Sequence, residues 1–349
     1  MKILSVVFTG ILLFNFTLAV DKRLEDKSGL YAVEIQEQFG FINIEGEVVI
    51  QPGYDSVGFF SEDLAAVRSK NKWGYIDTTG KMVILPAFTY ADYFSEGLAV
   101  VSINEHMGYI NKNGELVIPC DFDEAFAFSH GLARVRKMHQ WGFVDRTGKS
   151  VIALQYEDAY DFSEDTAAVR YADKWGYIDR NGRYIFEERF DETYEFHEGW
   201  AQVDKDGDSN FINKDGQYMT DSTGFLSAQN FFEGLAAAQS VQSGRYGYID
   251  KLGKFVIQAQ YDLVFPFHEG LAAVSRSGFY GFIDKNGKEV IPLEFEFAEV
   301  FIGGLARVKG ETQWLYIDKQ GNTVWPPVHP EKDGIIKVKL EYLNPLNLP

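Results

Sequence analysis

Apolar and polar residues alternate along this chain in short runs, and the runs themselves recur. Ala99 and Val101, Ala133 and Val135, and Ala272 and Val274 each stand two apart after a Gly-Leu pair or its equivalent. That spacing puts both members of a pair on one face of a strand. The intervening positions vary, as in Ala66, Val100, Arg134, Gln202 and Arg307, so one face of this strand reads as fixed and the other as free. A few polar residues later comes a second strand of aromatic and β-branched residues, for example Trp73-Gly74-Tyr75-Ile76-Asp77. The glycine in it leaves room for a neighbouring backbone or ring. Asp77-Thr78-Thr79-Gly80, Asp145-Arg146-Thr147-Gly148 and Asp284-Lys285-Asn286-Gly287 then read as hairpin turns, with Asp accepting hydrogen bonds and Gly in the left-handed region. A third strand follows, marked by Val83-Ile84, Val117-Ile118 and Val290-Ile291. Two aromatic series, one through Tyr54, Phe88 and Phe122, the other through Phe60, Phe94 and Phe128, are expected to pack between successive units.

The unit repeats nine times between Gly29 and Trp325. Gly40, Gly74, Gly108, Gly142 and Gly176 lie 34 residues apart, Asn210 holds the sixth place, and Gly247, Gly281 and Leu315 follow. A fixed period in this range marks stacked supersecondary units that cannot bury their apolar faces alone. The fold class is therefore all-β, a tandem array of ~34-residue antiparallel β-repeats. An open superhelical, solenoid-like stack is expected. The alternative is a closed β-propeller, whose blades usually need about 40 residues. The chain divides into residues 1–19, 20–28 (a linker), 29–325 (nine repeats) and 326–349 (a C-terminal capping segment or tail). Within the last, Ile336 to Tyr342 alternates strictly and suits an edge strand.

Residues 1–19 carry one basic residue, Lys2, then an apolar run, with Thr17 and Ala19 at the positions of a cleavage site. They read as a secretory signal peptide, so the expected location is exported, periplasmic or extracellular. Cys120 is the only cysteine, which leaves no intramolecular disulfide. A net charge of −18 repels phosphate backbones and anionic lipid. Neither nucleic acid nor membrane insertion after cleavage is expected.

Candidate chemistry is sparse. Gly142 to Ser150 resembles a phosphate loop but has five residues between its glycines instead of four, and it recurs in hairpins that open no helix. Of the histidines, His130, His197 and His268 are read as filling a slot held elsewhere by Ser61, Ser95 and Ser163, hence as surface turn residues. The sixth unit is the irregular one. It replaces Trp-Gly by Ser209-Asn210 and holds Asp204, Asp206 and Asp208 around Gly207. Such alternation can gather oxygens about a hard cation such as calcium, although the spacing is not that of an EF-hand loop. No other cofactor is indicated, and no catalytic residue can be nominated.

Residues 72 to 101, KWGYIDTTGKMVILPAFTYADYFSEGLAVV, closely resemble the WG repeat, or KWG repeat, of bacterial proteins. Met107, Ser209, Tyr246 and Tyr280 depart from it at the Trp position, and Asn210 and Leu315 at the Gly. The resemblance implies an all-β repeat module without an established catalytic activity. Frame positions repeat while hairpin tips do not, so specificity is expected in the tips. The expectation is a non-enzymatic binding or scaffold protein that engages a protein or a cell-envelope polysaccharide. Tyr171, Trp200, Tyr246, Phe279 and Tyr280 are its candidate stacking platforms. The alternative is an enzyme, a glycan-active hydrolase of envelope polysaccharide, with its site in the irregular sixth and seventh repeats.

Overall fold

The computed structural model describes residues 28–219 and 225–327. Every regular element among them is a strand, and the strands form nine antiparallel sheets. The second sheet shows the plan. An inner strand, Ser56–Ser61, pairs with Leu64–Ser69, which pairs with Lys72–Asp77, which pairs with an outer strand, Met82–Phe88. The middle turn is as short as a hairpin allows: Lys70 and Asn71 both take positive φ, 51° and 63°, as a two-residue type I′ turn requires. At the other end Gly80 has φ 83° and donates to the Asp77 carbonyl, while the Asp77 carboxylate accepts from the Thr79 and Lys81 amides. This is the Asp-x-x-Gly turn expected from the sequence.

Both faces of every sheet are buried. In the second strand Ala65 and Val67 face the preceding blade, whereas Ala66 faces the following one. In the third strand Ile76 and Tyr75 divide the same way. The position read as free of constraint is therefore an interface position, held to small residues, or to Arg134, Gln202 and Arg307 where something binds the polar group. The core is not a single mass but a series of apolar wedges, each shared by two neighbouring blades.

One aromatic contact recurs at every junction. A third-strand ring packs on an inner-strand Phe of the next blade: Phe41 on Phe60, Tyr75 on Phe94, Tyr109 on Phe128 and Phe143 on Phe162. The series continues with Tyr177 on Phe196, Phe211 on Phe231, Tyr248 on Phe267 and Phe282 on Phe301, all eight with centroids 4.7 to 5.0 Å apart. The ninth contact closes the circle, because Tyr316 of the last sheet meets Tyr31 of the first at 5.6 Å. Val33 and Ile42 share one buried cluster with Leu305, Tyr316 and Trp325. The molecule is thus a nine-bladed β-propeller. The open stack is not what forms, and the alternative, closure, is. Thirty-four residues suffice for a blade because two-residue tips waste no chain and several inner strands shrink to a two-residue pairing such as Glu124–Ala125.

The repeated glycine is explained by close approach of the outer strand. A Cβ on Gly74 would lie 2.7 Å from the Pro86 nitrogen and 2.9 Å from the Leu85 carbonyl carbon. The two repeats that lack this glycine have a reduced outer strand in the described residues, as does the fifth, where Gly176 is kept but faces the Arg189 and Tyr184 side chains instead of backbone. Beside Asn210 the described sheet has three strands, and beside Leu315 the outer strand is only Thr323–Trp325. The expected signal peptide, and most of the linker and of the capping segment, including the strand expected at Ile336 to Tyr342, lie outside the described residues. No described helix is long and apolar enough to cross a membrane.

Candidate functional site

Because each blade runs in the same order, all the tips between second and third strands fall on one face of the ring. Four of them are braced by a carboxylate. Asp123 accepts from the Met138 amide, Glu157 from Asp173, Asp191 from Asp206 and Asp262 from Ser277. These acceptors follow the aromatic that ends the outer strand, which gives the aromatic-acid pair of the repeat a physical role. It fixes the tip backbone while leaving tip side chains unconstrained.

The five candidate platforms separate sharply. Tyr171 is 56% exposed and Phe279 50%, both flanking tips on this face. Tyr280 is only 8% exposed and packs against Phe265 and Phe297. Tyr246 packs into the wedge around Tyr248 and Phe267, and Trp200 into the one around Phe211. Trp200, Tyr246 and Tyr280 are therefore packing residues; two of them fill the Trp slot of their repeats, and the third fills the Leu slot. Position in the repeat could have told Phe279 from Tyr280, since Phe279 opens its strand beside the tip whereas Tyr280 fills the buried Trp slot. Met138, 80% exposed, is a tip residue that sequence reasoning passed over.

In the sixth blade Asp206-Gly207 form the tip turn, and Asp204 accepts from the Ser209 hydroxyl across the hairpin. Asp208 lies opposite Lys205, which pairs with Glu188 at 2.5 Å. Among the described residues no three His, Cys, Asp or Glu side chains form a group that could hold a metal ion. The hairpin does not bring Asp204, Asp206 and Asp208 together as ligands.

Polar groups also gather along the inner strands, where sequence reasoning placed none. Arg134 reaches from the fourth blade into the fifth, donating to Asp161 at 2.8 Å and to the Ala159 carbonyl at 2.6 Å while lying 3.6 Å from the Phe126 ring centroid. Arg307 pairs with Glu299, which is 5% exposed. Burial raises the Asp92 carboxyl to about 6; the Tyr93 amide and Tyr90 hydroxyl oppose this, and the charge of Asp161 adds to it. Asp92 and Asp161 belong to the third and fifth blades, so their influence on each other points both toward the ring axis. The available signal was a charged residue at an inner-strand position that is aromatic or apolar elsewhere.

The histidines are placed differently from expectation. Ser61, Ser95, Ser129 and Ser163 each donate a hydroxyl to the carbonyl of the inner-strand Phe in the next blade, at 2.6 to 2.7 Å. His197 and His268 do occupy this slot, but as interface residues, the first half-buried and the second buried: their rings flank Phe232 at 5.0 and 5.3 Å. His268 is 3% exposed, with a buried Nε2 lacking a hydrogen-bond partner, and burial lowers its pKa to about 4. His130 follows the serine instead, in the slot of Glu62 and Glu96.

Comparison with known proteins agrees with the repeat. No curated protein matches the sequence. Among solved structures, one described as a eukaryotic initiation factor superposes with a TM-score of 0.62 at 11% identity, covering 84% of this chain and 94% of that one. At that identity it speaks for the fold alone. Two others superpose too loosely to add to the argument. The dihydro-heme d1 dehydrogenase NirN has a TM-score of 0.47, 11% identity and coverages of 85% and 72%. The extracellular domain of a putative one-component system of B. thetaiotaomicron has 0.34, 9%, 86% and 52%. The family described as WG containing repeat matches residues 39–73, 73–105, 107–137, 141–175, 175–207, 246–278 and 280–309, and the chain belongs to it.

Proposed function

We propose that this WG-repeat ring is an exported, non-enzymatic binding or scaffold protein that engages a protein or a cell-envelope polysaccharide through its variable tips. One observation carries the reading. The repeated residues are consumed in blade-to-blade contacts, whereas the tips share a face, are braced at the backbone in four blades, and present unlike side chains at or beside them such as Met138, Tyr171 and Phe279. A rigid scaffold that displays variable loops is suited to recognition. Half-exposed Tyr and Phe rings offer large contact area at small conformational cost. The apolar run at residues 3–18 and the tolerance of a chain with one cysteine for an oxidising compartment support export.

The test is cosedimentation of the mature protein with peptidoglycan and other envelope polysaccharides, together with pull-down from envelope extracts. Retention without release of fragments is expected. Tyr171→Ala with Phe279→Ala should weaken it at least about ten-fold with the thermal midpoint unchanged, since a handful of aromatic anchors dominate such interfaces. Equal retention by the double variant sinks the tip assignment. Turnover abolished by a single carboxylate substitution would make the protein a hydrolase instead.

A further inference from the structure

We propose that the outer rim of the fifth and sixth blades carries a binding ledge for a neutral glycan chain, built from Tyr184, Tyr218 and Glu188 with Arg189 as support. The inference rests on the binding role proposed above, but it adds a second place of contact, away from the tips that Met138 and Phe279 mark.

Tyr184 and Tyr218 stand one period apart at the residue that opens the outer strand, the place of Met82, Leu116 and Ser150. Each pairs with the Ile of its third strand, as Met82 does with Ile76. What differs is the stretch that follows. In the fifth blade Glu187-Glu188-Arg189 replaces the Leu85-Pro86-Ala87 of the second, and three charged residues in succession supply no apolar face to hold a strand against the sheet. A Cβ on Gly176 would accordingly meet Arg189 Cδ and Tyr184 Cε1, both at 3.0 Å, where one on Gly74 would meet backbone. The Tyr184 ring thus occupies space that outer-strand backbone fills elsewhere.

One dipeptide holds both rings. The Arg189 guanidinium carbon lies 3.7 Å from the centroid of the Tyr184 ring. Glu188 Oε1 accepts the Tyr218 hydroxyl at 2.8 Å and the Lys205 ammonium at 2.5 Å. Tyr184 stays 37% exposed and Tyr218 38%. Lys205 holds the Glu188 carboxyl below its usual range, with Tyr218 adding to this against partial burial. The ledge therefore presents two fixed, half-open rings beside an ionised carboxylate whose Oε2 makes no hydrogen bond among the described residues. Groups held in place in this way lose little freedom on binding.

The chemistry selects the occupant. Arg189 donates Nη1 to the Phe186 and Glu188 carbonyls at 3.0 and 2.9 Å, so acceptors with which a peptide strand would extend this sheet are already taken. An acidic polymer meets a chain of net charge −18, and both cations of the ledge, Arg189 and Lys205, are engaged. Flat rings beside a carboxylate acceptor fit a neutral pyranose, whose C–H face packs on an aromatic ring while its hydroxyls donate to Glu188.

Calorimetric titration of the protein with the neutral hexamers cellohexaose and chitohexaose, and with the acidic hexamer of galacturonic acid, tests this. Saturable binding of at least one neutral hexamer is expected, and none of the acidic one. Tyr184→Ala with Tyr218→Ala should weaken it at least about ten-fold, whereas Phe279→Ala, beside an eighth-blade tip, should leave it unaltered. Should the double variant fail to fold, Glu188→Gln keeps both rings and should weaken binding about five-fold or more. Absence of binding by either neutral hexamer overturns the proposal, as does binding indifferent to all three positions or tighter for the acidic hexamer. Retention on envelope polysaccharide that depends on Phe279 but not on Tyr184 and Tyr218 upholds the tip reading and overturns this one. Hexamer binding that depends on Tyr184 and Tyr218, without retention that depends on Phe279, upholds this one alone.

Discussion

The hydroxyl of Tyr316 donates to the carbonyl of Ala32 at 3.0 Å, across 284 residues of sequence. Corresponding tyrosines elsewhere reach the inner strand of the next blade: Tyr75 to Asp92, Tyr109 to Phe126, Tyr177 to Tyr194 and Tyr248 to Phe265. The bond to Ala32 is thus the fifth member of a series, redirected to the second strand where the ring shuts. Its two partners close a circle rather than extend a row, so their loss loosens the whole molecule.

Tyr316→Phe should lower stability by about 1 kcal/mol, the usual net value of one such bond. Tyr31→Ala removes the ring that stands in for an inner-strand Phe and should cost about 3 kcal/mol, as large-to-small core changes do. Urea unfolding measures both. An unaltered midpoint for Tyr31→Ala would mean that the first and ninth blades do not stabilise one another.

The repeat glycine yields a second, sharper contrast. Gly74→Ala forces a Cβ to within 2.7 Å of the Pro86 nitrogen and must displace the outer strand, which is backbone and cannot swing aside. A loss of more than about 2 kcal/mol is expected, in line with overpacking at a tight site. Asn210→Ala, at the same place in a blade whose described sheet has three strands, should shift the midpoint by no more than about 0.5 kcal/mol. Equal effects at both positions would refute the close-approach account of the glycine.

These contrasts also mark what could be read from the sequence. The period, the strand order, the Asp-x-x-Gly turn and the inter-blade Phe series are local or evenly repeated, and all of them are visible in residues such as Asp77, Gly80 and Phe94. Closure is not local. It depends on the small rotation between blades, set by how Tyr75 seats on Phe94, and summed nine times; no single repeat displays that sum. The Tyr31 substitution was the one legible sign, a ring where eight repeats have Ala. The site was less legible. Tyr171 and Tyr280 are equal as residue types, and only their distance from the tip, Tyr171 at the strand end and Tyr280 one residue inside, separates platform from core.

Six junctions share a glutamate clasped on a glycine amide, five of them with a lysine on that glutamate, and the sequence presents these merely as scattered acids. Glu164 accepts the Gly199 amide with both oxygens at 3.2 Å, and Lys214 bridges Glu164 at 3.1 Å while donating to its backbone carbonyl. Glu164→Ala orphans a backbone amide at a packed turn and should cost about 1 to 2 kcal/mol. Lys214→Met removes only a half-exposed ion pair and one carbonyl donor, and should cost under about 1 kcal/mol. Reversal of that order in thermal unfolding would mean that the charge pair, and not the amide, holds the junction.

Two buried groups give stability opposite slopes with pH. His268 titrates at about 4 in the fold against 6.5 in its ordinary state, because burial disfavours its charge more than Glu233 and Glu269 favour it. Those two carboxylates are themselves engaged by Lys285 and Lys319. Its contribution is therefore fully present above pH 6.5 and is lost as pH falls toward 4. At about 1.4 kcal/mol for each unit, this term reaches roughly 3 kcal/mol. Asp92 runs the other way. Raised from 3.8 to about 6, it penalises the fold above pH 6 and relieves that penalty as it takes up a proton on acidification. His268→Ser, which installs the residue found in four other blades, should flatten the acid-side loss of stability, whereas Asp92→Asn should steepen it and raise stability near pH 7. Chemical unfolding at pH 7, 5.5 and 4.5 distinguishes them. Parallel pH profiles for His268→Ser and the unaltered chain would show that the histidine is not held neutral between the blades.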